Sequence, residues 1–83
     1  MTVGVLTGFD GDASADLTAQ ALRGRLGYGD RVGQVERGIL WTFFLREADP
    51  AKAQALAEAM TVTRGREQGL LVNPHSMWWR WAA

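Results

Sequence analysis

The chain contains no cysteine and only one histidine. The first absence excludes disulfides and thiolate metal sites together. The second leaves a structural zinc without the imidazoles that would have to replace the thiolates. Neither sign of charge is in excess, because nine basic and nine acidic side chains cancel. A nucleic-acid binder normally carries a basic surplus, since it must displace counterions along the phosphates, so no nucleic-acid partner is expected. No apolar run approaches the ~20 residues of a membrane span, and no membrane partner is expected either. Met1-Thr2-Val3-Gly4 lacks the basic start of a secretory signal. The expectation is a soluble, cytoplasmic protein.

What is present is apolar. Hydrophobic residues make up 47% of the chain, four of them tryptophans, which is ample for a core and argues against disorder. Eighty-three residues make one domain, 1–83. A chain this short buries only about 60–65% of the surface its unfolded form exposes. With neither cross-links nor metal to help, oligomerisation is the expected support.

Val3, Val5, Thr7 and Phe9 alternate with Gly4, Leu6 and Gly8, the period of a strand over Val3–Phe9. Asp10-Gly11-Asp12 ends it in a turn, and Asp12 or Ser14 caps a helix with Asp16 in its first turn. Leu17, Ala21, Leu22 and Leu26 form that helix's narrow apolar stripe, and Gly27 stops it. A weak strand is expected over Arg31–Glu36. The strongest strand follows at Ile39–Arg46, where Ile39, Trp41, Phe43 and Leu45 alternate with Leu40, Thr42, Phe44 and Arg46. Both faces are largely apolar, so this strand is expected to be central and covered on both sides. Asp49-Pro50 starts a second helix with a capping carboxylate and a proline at N1, and Ala53, Leu56, Ala57 and Met60 face inward. Residues 61–69 read as a loop or a frayed helix end. Asn73-Pro74 then breaks the chain before a last strand over Met77–Trp81. This order gives a ferredoxin-like βαββαβ plait, α+β, with a four-stranded antiparallel sheet and two helices on one face. Its other face is expected to carry Trp41, Trp79 and their neighbours, which something should cover.

No reactive constellation stands out. Asp10 and Asp12 are too few ligands for a cation, and a turn with a helix cap is the plainer reading. Gly24 to Gly29 resembles a phosphate loop in composition but follows a helix instead of opening one. His75 could act as a general base, yet no cysteine serves it, and the adjacent Ser76 points away on an extended segment. Trp78, Trp79 and Trp81 beside Arg80 could stack bases; a core or an oligomer interface is the plainer reading, since tryptophan and arginine are enriched at interface hot spots. No catalytic residue, cofactor or metal site is expected.

Three stretches carry a family likeness that runs through nearly the whole chain. Ala21-Leu22 leads through Leu26-Gly27-Tyr28 into Val32 to Gly38. Glu47-Ala48-Asp49 opens an alanine-rich helix. Leu70-Leu71-Val72-Asn73-Pro74, the most distinctive of the three, precedes the last strand. Together they resemble the PurS family, the small subunits of bacterial phosphoribosylformylglycinamidine synthase. The chain departs from that pattern at Asp12-Ala13-Ser14-Ala15, at Ile39, in the apparent insertion Thr61–Gly69 and in its tryptophan-rich end. The resemblance implies a non-catalytic subunit of a purine-biosynthetic amidotransferase. Such a subunit forms homo-oligomers, dimers or larger, and bridges glutaminase and synthetase subunits for ammonia transfer. On that reading Trp41, Phe43, Trp79 and Trp81 serve self-association, and Arg31, Arg37, Asn73, Pro74 and His75 dock partners. Two rival readings use the same element order: a small dimeric α+β-barrel enzyme built around His75, and an ACT-like ligand-sensing module.

Overall fold

A computed structural model describes residues 1–64 and 69–82. The order is β1 (Thr2–Phe9), α1 (Ala13–Arg23), a 3-10 turn (Gly29–Arg31), β2 (Ile39–Phe44), α2 (Pro50–Thr61) and β3 (Met77–Ala82). The protein is thus α+β, with two helices and one antiparallel sheet. The sheet has three strands in the order β2-β1-β3, with β1 central and antiparallel to both neighbours. β2 and β3 therefore run parallel to each other, with α2 as the crossover between them.

The expected fourth strand is not formed among the described residues. Gly29–Arg31 is a 3-10 turn, and 32–38 has no regular structure. Side chains hold this stretch away from the sheet edge. Arg23 donates to the carbonyls of Val32 (3.0 Å) and Gly33. Glu36 meets Arg80 at 2.8 Å, and Arg37 meets Asp12 at 2.9 Å. Because 32–38 is engaged there, β2 is an edge strand and not the central one its two apolar faces suggested.

Cross-strand partners share a face of the sheet. Val5 pairs with Trp41 on one side and Trp81 on the other, and Thr7 pairs with Ile39 and Trp79. Val5 is fully buried between its two indole partners, and the Trp41 indole N–H donates to Thr7 Oγ1 at 3.2 Å. α2 lies on this same face. Ala53 and Ala57 pack on Val3, with Phe43, Leu45 and Trp81 around them. Small side chains on the helix allow close approach to the sheet, while Leu56, expected inward, is exposed.

Both helix starts follow the sequence. Asp12 accepts N–H bonds from Ser14 and Ala15, and Asp49 accepts one from Lys52, with Pro50 in the first turn. α1 ends at Arg23, earlier than expected, and Leu26 and Tyr28 donate to the Ala21 and Leu22 carbonyls. Gly24, not Gly27 as expected, caps the helix, and Gly27 takes a left-handed φ of 75° three residues further on. The apolar stripe of α1 is rotated from expectation: Ala15 and Ala19 are buried, whereas Leu17 and Leu26 are exposed.

α2 closes on a tight return of the chain. Val62 bridges Val72 in parallel, Leu70 N–H reaches Met60 O, and both Leu71 and Val72 N–H reach Thr61 O. Within the expected 61–69 loop, residues 65–68 lie outside the described residues. Gly69 sits so close to the Met60–Val62 backbone that a Cβ there would collide with it.

The chain is long and thin, 48 × 27 × 14 Å, with a Cα radius of gyration of 16.2 Å. A compact chain of this length has about 12 Å. Its accessible surface is 6141 Å², against about 4,900 Å² for a compact monomer of its mass.

Candidate functional site

Two regions of the surface stand out, and only one of them is apolar. β2 exposes nearly all of an uncharged, aromatic-rich strand: Ile39 is 59% exposed, Leu40 59%, Trp41 40% and Phe44 82%. Burial of side chains that size normally stabilises a protein by about 1.5–3 kcal/mol each. Here much of that stabilisation is left unrealised.

The phase of the β1–β2 ladder fixes which backbone groups of β2 are free. Met1 and Leu45 exchange both N–H···O bonds, each at 2.7 Å. Hydrogen-bonded and non-hydrogen-bonded pairs alternate along an antiparallel ladder. The register therefore makes Val3–Phe43, Val5–Trp41 and Thr7–Ile39 the bonded pairs. Leu40, Thr42 and Phe44 turn their N–H and C=O groups outward, where no backbone bond meets them among the described residues.

The second region is a cleft of about 630 Å³ between α1, residues 34–37 and the start of β3. Trp78 and Arg80 line it from the face opposite α2, with Arg80 stacked 4.8 Å from the Trp78 ring centroid. Its three arginines are all engaged: Arg23 on backbone carbonyls, Arg37 on Asp12 and Arg80 on Glu36. Asp12 is held below the ordinary aspartate range, first by the Ala15 backbone N–H and next by the Arg37 guanidinium.

The sequence-predicted residues fall into separate places. Trp41, Phe43, Trp79 and Trp81 share one face of the sheet. That is the face α2 covers and not the open one, with Phe43 and Trp81 half-buried beside the helix. The opposite face carries Leu40, Thr42, Phe44, Trp78 and Arg80. Sequence reasoning did not single out Leu40, Thr42 and Phe44 as candidates, although their alternation with Trp41 and Phe43 was the available signal.

Arg31 stacks over Tyr28 on the 3-10 turn. Asn73, Pro74 and His75 form the turn into β3, where Asn73 Oδ1 accepts the His75 backbone N–H at 3.0 Å and Asp10 N–H reaches Ser76 O. Arg37 meets the same end of β1 through Asp12. His75 does not line the cleft. Among the described residues, no three histidine, aspartate or glutamate side chains gather as a metal site. No helix among them is long and apolar enough to cross a membrane.

No protein-family model, curated protein or solved structure matches the chain. The functional reading therefore rests on the sequence resemblance and on geometry.

Proposed function

We propose that the chain is a non-catalytic, self-associating adaptor, similar in role to the PurS subunits that its Leu70–Pro74 segment and two other stretches resemble. In this reading it is a ferredoxin-like plait without one edge strand, and it works as a dimer or larger homo-oligomer. It bridges a glutaminase and a synthetase subunit of a purine-biosynthetic amidotransferase, so that ammonia passes between them. Trp41 and Phe43 take part in self-association, with Trp79 and Trp81 on the same sheet face. Arg31, Arg37 and the Asn73–His75 turn are the partner-docking candidates.

One observation carries the reading: an uncharged, aromatic-rich strand stands uncovered on a thin protomer whose accessible surface exceeds a compact monomer's by roughly 1,200 Å². Such a surface is suited to contact with protein, whereas the polar cleft offers no convergent nucleophile, base and oxyanion donor. The segment Leu70–Pro74 adds support through its place in the structure. Its backbone closes the end of α2, Val72 is buried, and Leu70 is left almost wholly exposed.

Reconstitution tests this function. The chain is added to glutaminase and synthetase subunits, and turnover with glutamine is compared with turnover with free ammonia. The adaptor reading expects glutamine-dependent turnover to need the chain and ammonia-dependent turnover to proceed without it. Equal dependence of both reactions contradicts bridging.

A further inference from the structure

We infer that the free edge of β2 is a seam for a second copy of this chain, paired antiparallel about a two-fold axis through Thr42. This rests on the self-associating reading above and specifies where and how it occurs.

The first support is the backbone. Leu40, Thr42 and Phe44 each present one outward N–H and one outward C=O. With the axis at Thr42, Thr42 meets its own copy, Leu40 meets the partner's Phe44, and Phe44 meets the partner's Leu40. All the outward donors and acceptors are then satisfied in bonded pairs. Moving the axis one residue to Trp41 sets Leu40 against Thr42 and leaves Phe44 without a partner. Moving it to Phe43 leaves Leu40 alone in the same way.

The second support is the side-chain pattern about that axis. On one face each Leu40 lies beside a Phe44, flanking a threonine pair. On the other, each Trp41 lies beside a Phe43. Aromatic–aromatic, aromatic–aliphatic and Thr–Thr pairs are the favourable cross-strand combinations. β2 carries no charge and no proline, two of the devices that commonly keep an edge strand single. A copy approaching it meets no like charge.

The third support is area. The chain as a whole, of which β2 is one part, exceeds the surface of a compact monomer by roughly 1,200 Å², and a stable interface removes about 800 Å² from each partner. Residues 32–38 do not fill the edge from within, being bonded instead to Arg23, Arg80 and Asp12. At the opposite edge of the sheet, β3 carries Arg80, and its tryptophans are half-buried. The seam joins the two three-stranded sheets into one continuous sheet.

The test combines sedimentation equilibrium with a single-cysteine cross-link, for which the cysteine-free chain is a clean background. The wild type is expected to sediment as a dimer or larger. Thr42→Lys places two ammonium groups at the axis on an exposed position and should raise the dissociation constant at least about tenfold, with an unchanged far-UV circular dichroism spectrum. Trp79→Ala, on the other edge strand, should leave the dimer intact. With a short bis-maleimide Thr42→Cys should form a cross-linked dimer, because bonded antiparallel partners stand about 5.5 Å apart, within the linker's span. Lys52→Cys, on exposed α2, should not. A dimer that survives Thr42→Lys but dissociates on Trp79→Ala overturns the seam and leaves the adaptor reading standing. A wild type that is monomeric at every concentration overturns both.

Discussion

Met1 and Leu45 bond to each other through both backbone groups at 2.7 Å, and that pair decides which amides of β2 are protected by β1. Ile39, Trp41 and Phe43 donate inward; Leu40, Thr42 and Phe44 donate outward. In a monomeric Thr42→Lys variant, the amides of Trp41 and Phe43 should therefore exchange slowly with solvent and those of Leu40 and Phe44 quickly. In the associated wild type, both sets should be slow. Residue-level hydrogen exchange reads the difference directly.

Val5 is fully buried, with Trp41 and Trp81 as its cross-strand partners. Truncation to alanine removes two methyl groups from a site whose indole and α2 neighbours close over it only in part. Val5→Ala should destabilise the fold by about 2 kcal/mol, seen as a lower urea midpoint at unchanged slope. By contrast Leu17→Ala, on the exposed side of α1, should stay within about 0.5 kcal/mol.

Gly69 and Gly33 form a matched pair for testing the return of the chain onto α2. A Cβ at Gly69 meets the backbone of Met60, Thr61 and Val62, which is held by hydrogen bonds and has no flexible side-chain end to yield. Gly69→Ala should cost about 1–3 kcal/mol. A Cβ at Gly33 meets nothing within 4 Å, so Gly33→Ala should be neutral or stabilise by up to about 1 kcal/mol by restricting the unfolded chain. Thermal or urea unfolding of the two variants distinguishes them.

Asp12 caps α1 and pairs with Arg37, and both interactions favour its ionised form. Its carboxyl titrates lower in the folded chain than in the unfolded one. The stabilisation it supplies is thus complete above the unfolded value of about 3.9. It is lost as pH falls from there through the lowered folded value. Asp12→Asn keeps a capping acceptor without the charge, so its stability should vary less with pH across that acid window. Urea midpoints from neutral pH to about pH 2 check the comparison; an equally steep acid loss in both proteins contradicts it.

Local chemistry was legible in the sequence, whereas long-range placement was only partly so. Asp49-Pro50 and Asp12 each sit where their own backbone preferences put them, because helix caps involve only neighbouring residues. The period-2 pattern located β1 and β2 for the same reason. Residues 31–36 did not become a strand, because what decides their path is Arg23, Arg80 and Asp12, contacts spanning 9 to 44 residues that no local pattern encodes. The central position expected for Ile39–Arg46 failed differently. Two apolar faces show that a strand needs cover, but not whether its own chain or another supplies it. Leu17 misled in a similar way, since the alanines of α1 took the inward side where close approach was available.

The most direct test of the account is the mass of the wild-type chain by sedimentation equilibrium over a range of concentrations. The account predicts at least twice the protomer mass of 9.1 kDa, because β2 stays uncovered in a single copy. A species that remains at 9.1 kDa across the whole range contradicts it.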